Sequence, residues 1–444
     1  MKNGINIFED LNNQKINYVV WKNTNLIEKF FKGKENLDIF IHKDYHEKFK
    51  ILLKENNWIE VKSTSNNFDQ IKHYLFFDYD KILHIHAYYK LYTGNSISKN
   101  YDLTAFMEYF ENKYFDDQYK IWILNHDKQL LLFNIRLAIK KRSLLGRYLL
   151  SREKIYYNDE MSNILININS KKNNYNEKEL LEIIKNFRRI NPFKTFLKEF
   201  FFLKNIFFQK VFKLNKFKLN KNYIIFLSGP DSSGKTTITK DLKNLFKNHF
   251  KTKIFSIGKP YPNFLIKMLI KRNYFQRKKN SINFLNKNIE TNYPILLKNI
   301  NLAIFRYIYS LNIFYFNRNC SVIILDRYLS EIVANINGPR SNINNNSSLI
   351  KKLLSSVEIF FYKKAKNIDH EYKILTGLNN CLIRNAKRHK DIKKSENEII
   401  KRFESYNKSI FKSKKIFKID NNSDKKTAFL NLLNIISKNI NEVS

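Results

Sequence analysis

The sequence predicts an α/β protein: a doubly wound parallel-sheet domain over residues 219–444, preceded by a small α+β domain over 1–105 and a helical connecting region over 106–218. Three observations lead there. Apolar, β-rich runs at 223–227, 253–257 and 321–325 alternate with helical patterns, as strands buried in a parallel sheet do. The first hundred residues instead combine strand-like runs at 18–21, 37–41 and 82–86 with one helical stretch at 45–55. Between Leu103 and Phe217 the pattern is mostly helical.

Composition bounds the function before any motif does. A chain of 444 residues is about three times a ~150-residue domain, and its 43% hydrophobic content supports several cores. Two cysteines, Cys320 and Cys381, exclude a disulfide framework and a cysteine-rich zinc site, so a reducing compartment, the cytoplasm, is expected. The strongly apolar uncharged stretch 307–317 is about half the ~20 residues a membrane span needs. The opening residues have no apolar core behind their lysine, so no signal peptide is expected. Lysine and arginine number 80 against 40 aspartate and glutamate, a net charge of +40. These basic residues are dispersed among asparagine and isoleucine, the pattern an AT-rich genome imposes, and no aromatic stacking platform is legible. A small-molecule anion therefore fits better than a specific nucleic acid, with peripheral contact to an anionic membrane surface as the alternative. A homodimer is compatible with the sequence.

In the connecting region Leu130, Phe133, Leu137 and Lys141 share a helical face, with Ile135 and Ile139 close by. Further on, Phe196, Phe200, Leu203, Phe207, Val211 and Leu214 form an apolar stripe on a basic helix. Packing against a neighbouring domain is the favoured reading, and an anionic lipid surface the other.

Glycine is scarce, nine in all, so Gly229 and Gly234 carry information. Gly229-Pro230-Asp231-Ser232-Ser233-Gly234-Lys235-Thr236 satisfies G-x-x-x-x-G-K-[ST] between the apolar run 223–227 and a helical stretch at 236–250. Backbone N–H groups from Gly229 through Ser232, Ser233, Gly234, Lys235, Thr236 and Thr237 can cradle phosphate oxygens at a helix N-terminus. The Lys235 ammonium bridges β- and γ-phosphates and the Thr236 hydroxyl ligates Mg²⁺, which makes ATP and Mg²⁺ the expected cofactors. Ser232 is tolerable in this loop only where its backbone avoids positive φ.

A second motif, Asp326-Arg327-Tyr328, ends the strand-like run at 321–325. A carboxylate there can hold Mg²⁺ or orient an acceptor, and the arginine can clamp a transferring phosphoryl group.

Together the two motifs resemble those of the thymidylate kinase family of nucleoside monophosphate kinases, over about 221–444. The resemblance implies that Asp231 approaches the acceptor, that Arg306 in Ala303-Ile304-Phe305-Arg306-Tyr307 binds the acceptor phosphate, and that Arg327 and Tyr328 contact the same substrate. It also implies a lid whose spaced arginines, Arg384, Arg388 and Arg402, close over ATP, where charge grows and water must be excluded. The family often has Arg-Glu-Pro-Gly-Gly after the second strand. Here the chain reads Gly258-Lys259-Pro260-Tyr261-Pro262, which puts thymidylate specificity in question.

Gly33 through Ile41 is similar to the polymerase β type of nucleotidyltransferase fold, whose Asp-x-Asp strand pair and third carboxylate bind two Mg²⁺ ions. Asn36 stands first, only Asp38 survives, and His84 and His86 occupy the partner strand. Glu35 cannot replace Asn36, because adjacent strand residues face opposite ways. The domain is thus expected to keep the fold without transferring nucleotides.

The leading expectation is ATP- and Mg²⁺-dependent phosphoryl transfer to a small-molecule phosphate acceptor, a nucleoside monophosphate such as dTMP. A kinase of a sugar or glycan intermediate, and a nucleotide-gated regulatory or binding protein without turnover, are the rivals.

Overall fold

The computed structural model describes residues 7–64, 68–93, 101–103, 112–140, 188–189, 216–257, 291–317, 321–330, 337–387, 394–422 and 424–443. Two compact units emerge, one of residues 1–220 with 437–444 and one of 221–436. The apolar stripe at 196–214, Cys320, Arg388 and the segment 258–262 lie outside the described residues.

The first unit contains α1 (Ile7–Asn13), β1 (Tyr18–Lys22), α2 (Ile27–Phe31), β2 (Asn36–Ile41), α3 (His46–Glu55), β3 (Ile59–Ser63), β4 (Ile71–Phe77), β5 (Ile82–Tyr88), β6 (Tyr92–Thr93), β7 (Tyr101–Asp102), β8 (Lys113–Asp116), β9 (Ile121–Leu124), α4 (His126–Lys140), β10 (Arg188–Arg189) and β11 (Phe217–Lys218). Eight strands form one mixed sheet in the order β11-β3-β4-β5-β2-β1-β9-β8, and β10, β7 and β6 form a small second one. Strand alternation sorts the side chains. Leu37, Ile39 and Ile41 of β2 and Leu83, Ile85 and Ala87 of β5 enter one core with Phe8, Phe30, Phe49 and Trp58. Phe40 and Tyr88 enter a second core with Val19, Trp21, Leu131, Leu132 and Ile135. Asp38, His84 and His86 share the parity of that second face.

The structure differs from the helical pattern expected between Leu103 and Phe217, because β8 and β9 pair there as antiparallel strands on the sheet edge. Their four-residue length is too short for period alone to distinguish strand from helix. α4 forms as expected, but Leu131, Leu132 and Ile135 are its described core residues. The side chains of Leu130, Phe133 and Leu137 lie outside the described set.

The second unit contains β12 (Tyr223–Ser228), α5 (Lys235–Phe246), β13 (Thr252–Ser256), α6 (Tyr293–Leu311), β14 (Val322–Arg327), α7 (Leu349–Lys364), β15 (Ile368–Leu375), α8 (Leu378–Ala386), α9 (Glu396–Asn407), β16 (Ser413–Asp420) and α10 (Lys425–Val443), whose last turns group with the first unit. Its sheet runs β13-β14-β12-β15-β16, and each neighbouring pair is parallel. This is the doubly wound α/β arrangement the sequence predicts. Strand order reverses at β12, so the loop leaving its carboxyl end lies at the topological switch point where such sheets bind ligands. Phe226, Ile323, Leu325, Ala303, Tyr309 and Tyr362 pack in the core that joins the sheet to α6 and α7. Among the described residues no helix is long and apolar enough to cross a membrane.

Candidate phosphate-binding site

The loop between β12 and α5 is built by two glycines. A Cβ at Gly229 would lie 2.7 Å from Ser233 Oγ and 3.0 Å from the Ile374 carbonyl oxygen. Gly234 has φ +92°, the left-handed conformation that side chains avoid, and caps the N-terminus of α5. Ser232 overturns the expectation made for it, since its φ is +66°. The serine backbone carries the strain a glycine would avoid, and its buried Oγ finds no hydrogen-bond partner among the described residues.

Lys235 turns back over the loop, its Nζ donating to the carbonyls of Gly229 and Pro230 at 2.6 Å each and to Ser233 Oγ at 3.3 Å. Burial pushes its ammonium down to about 8, against the pull of Asp231 and Asp326. Arg327 acts in the same direction as burial, so Lys235 senses both members of the Asp326-Arg327 pair at the end of β14. Burial alone would raise the Asp231 carboxyl, but Lys394, Lys235 and Arg402 outweigh it and hold the group below the usual carboxylate range. Lys394 pairs directly with Asp231. Arg402 Nη1 lies 3.1 Å from Asp231 Oδ2, while Arg402 Nε and Nη2 grip Glu398 at 3.0 and 2.9 Å.

The C-terminal side of the loop is tied by its Ser233 carbonyl, which accepts from Asn421 Nδ2 at 2.8 Å and, more weakly, from Arg384 Nη1 and Thr376 Oγ1 at 3.5 Å. Arg384 Nη2 also donates to the Asn421 carbonyl at 2.8 Å. Arg384 and Arg402 therefore both reach the loop.

Lys394, Thr376 and Asn421 were not singled out in the sequence. Lys394 is one lysine among many, whereas Thr376 and Asn421 stand directly after β15 and β16, a position visible only once those strands are bounded.

Two residues expected to contact the substrate are buried. Tyr328 is fully buried in the core and its hydroxyl donates to the Lys366 carbonyl at 2.5 Å. Arg306 is 1% exposed and donates through Nη1 to Tyr362 OH at 2.7 Å. Nearby, Glu358 accepts the backbone N–H groups of Arg340 and Ser341 at 2.8 and 3.1 Å. The α6 face bearing Arg306 thus packs against α7, and Arg306 Nε has no hydrogen-bond partner among the described residues.

For Mg²⁺, the donor set fits a hard cation held mainly by substrate phosphates. Thr236 is exposed at the first turn of α5 and Asp326 half-buried at the end of β14. Among the described residues no cluster of three or more His, Cys, Asp or Glu side chains could hold a metal without such phosphates.

In the first unit Asp38 is 1% exposed and engaged on both oxygens. Oδ1 meets His86 Nδ1 at 3.0 Å and Lys22 Nζ at 3.2 Å. Oδ2 accepts from Asn23 and Asn36 amides at 3.0 and 3.3 Å. His84 shares a 3.0 Å hydrogen bond with His73. Burial, reinforced by His73, Lys216 and His86, holds its pKa well below the ordinary histidine value, with Asp38 opposing.

No protein-family model matches the chain. No curated protein matches it either. Among solved structures, deoxyadenosine kinase from M. mycoides with dCMP and a flexible dCDP bound is similar at 17% identity and a TM-score of 0.30, over 48% of this chain and 98% of that one. The same enzyme with dATP bound shows 14% identity and a TM-score of 0.27, over 48% and 99%. Thymidylate kinase from Candida albicans shows 16% identity and a TM-score of 0.28, over 50% and 93%.

Proposed function

We propose that the chain is an ATP- and Mg²⁺-dependent phosphotransferase of the nucleoside monophosphate kinase type, thymidylate kinase-like in its machinery, acting on an acceptor such as dTMP. An oxygen of the acceptor phosphate attacks the γ-phosphorus of ATP, the bond from that phosphorus to the β–γ bridging oxygen breaks, and ADP leaves. The observation that carries this reading is Lys235 folded over a glycine-hinged loop at the switch point, with Asp326-Arg327 ending the neighbouring parallel strand β14.

The loop amides and the N-terminus of α5 bind phosphate oxygens, and Lys235 neutralises the charge that grows on them. Thr236 and Asp326 would hold Mg²⁺, which when bound shields the phosphate charge. Arg327 clamps the transferring group, and Lys394, Arg402 and Arg384 add positive charge around the loop. In this reading residues 219–444 carry the transfer, while 1–105 select or position the acceptor without transferring nucleotides. The acceptor arginine of the resembled family is missing from Gly258-Lys259-Pro260-Tyr261-Pro262, and a sugar or glycan intermediate is the second reading.

Asp326→Asn and Arg327→Ala are each expected to lower kcat more than tenfold with the fold retained, as losses of transition-state contacts do. Unchanged rates in both would favour a nucleotide-gated regulatory protein instead.

A further inference from the structure

Under the phosphate loop lies a buried carboxylate that the chemistry above does not use. Glu371, 2% exposed, sits in β15 beside β12, where Phe226 is its register partner. Its Oε1 accepts from Ser228 Oγ at 2.5 Å and its Oε2 from Ser413 Oγ at 2.6 Å. Ser228 Oγ in turn accepts from Tyr406 OH at 3.1 Å. Among the described residues these bonds come from hydroxyls, and no lysine or arginine forms an ion pair with Glu371.

A carboxylate buried without a cation is expensive, and an apolar residue would serve strand packing better. What the carboxylate supplies is direction. Ser228 is the last residue before Gly229, so Glu371 holds the root of the loop. Tyr406 follows Arg402 by four residues on α9, which places both on one helix face. Arg402 reaches Asp231 further along the same loop. Helix α9 therefore touches the loop twice, through the ion pair and through the buried hydroxyls that end on Glu371.

We infer that Glu371 is a positioning residue which, through Ser228 and Tyr406, fixes the root of the phosphate loop and helix α9 in one register, so that Arg402 and Lys394 stand over Asp231. This role rests on the phosphotransferase reading of the loop.

Hydrogen–deuterium exchange on the full chain tests the coupling without turnover. Tyr406→Phe removes a single oxygen, and Glu371→Leu removes the acceptor. Both are expected to speed exchange at least fivefold in 229–237 and in 396–407 together, leaving 322–327 unchanged. Glu371→Gln keeps an oxygen acceptor for Ser228 and is expected to stay within twofold of the parent chain. In steady state with MgATP and the best acceptor found, Tyr406→Phe lowers kcat at least fivefold while KM for ATP stays within twofold, and it adds nothing in an Arg402→Ala background. Acceleration in one segment alone, acceleration across the whole sheet, equal effects of Gln and Leu, or additivity with Arg402→Ala would overturn the inference. Coupled exchange in a chain that transfers no phosphoryl group would support the coupling and count against only the kinase reading.

Discussion

Arg402 Nη1 stands 3.1 Å from Asp231 Oδ2, with Glu398 one turn earlier gripping the same guanidinium. Helix α9 is thereby attached to the phosphate loop through a carboxylate that also faces Lys394 and Lys235. The Asp231 charge is thus what lets three cations share one small volume.

Asp231→Asn removes that charge and leaves Lys394 and Arg402 drawn to Glu398, away from the loop and Lys235. The pairs are partly exposed, so stability should change by only about 1 kcal/mol, while kcat falls more than tenfold because the cations no longer converge. Steady-state kinetics beside a denaturant titration separates the two, and a large stability loss with unchanged kcat would make Asp231 purely structural.

Lys235 supplies a pH signature. Burial pushes its ammonium down to about 8, whereas phosphate binding needs the charged form. Below that value the lysine is already protonated and ATP affinity is flat. Above it, binding must take up a proton, so KM for ATP should rise about tenfold per pH unit between 8.5 and 10. Calorimetry in two buffers of different ionisation enthalpy would register the uptake, and a flat KM to pH 10 would contradict it.

The G-x-x-x-x-G-K-[ST] loop at 229–236 was legible because its spacing is strict and glycine is rare in this chain. The parallel strands β12 and β14 were legible because strands covered on both faces read as continuous apolar runs. β3 was not, since Ile59-Glu60-Val61-Lys62-Ser63 mixes charges into a short alternation. The burial of Arg306 and Tyr328 was not legible, because family position carries no information about which face of α6 meets α7 or how deeply β14 is covered. Lys394 and Glu371 acquire meaning only from partners distant in sequence, Asp231 and Ser228.

Ser232→Gly should stabilise the loop. A non-glycine residue at φ +66° costs about 1 kcal/mol, and the substitution also removes a buried hydroxyl without a partner. Hydrogen exchange of the loop amides should slow about fivefold, the equivalent of that energy, and faster exchange would show that the serine contributes a contact.

The first unit should not transfer nucleotides. The buried carboxylate of β2, Asp38, already meets Lys22, His86, Asn23 and Asn36, and two-metal catalysis needs several carboxylates free to meet the ions. Incubating the full chain carrying Lys235→Ala with Mn²⁺ and each labelled NTP should give no incorporation into any acceptor. Incorporation that disappears in Asp38→Ala would contradict this.

The most direct measurement is transfer of label from [γ-³²P]ATP, with Mg²⁺, to a panel of nucleoside monophosphates and sugars, run with the wild-type chain and with Lys235→Ala. The account predicts a labelled acceptor with the wild type and at least a hundredfold less with Lys235→Ala, about 2.7 kcal/mol of lost transition-state stabilisation. Label reaching the acceptor at the wild-type rate with Lys235→Ala would contradict it.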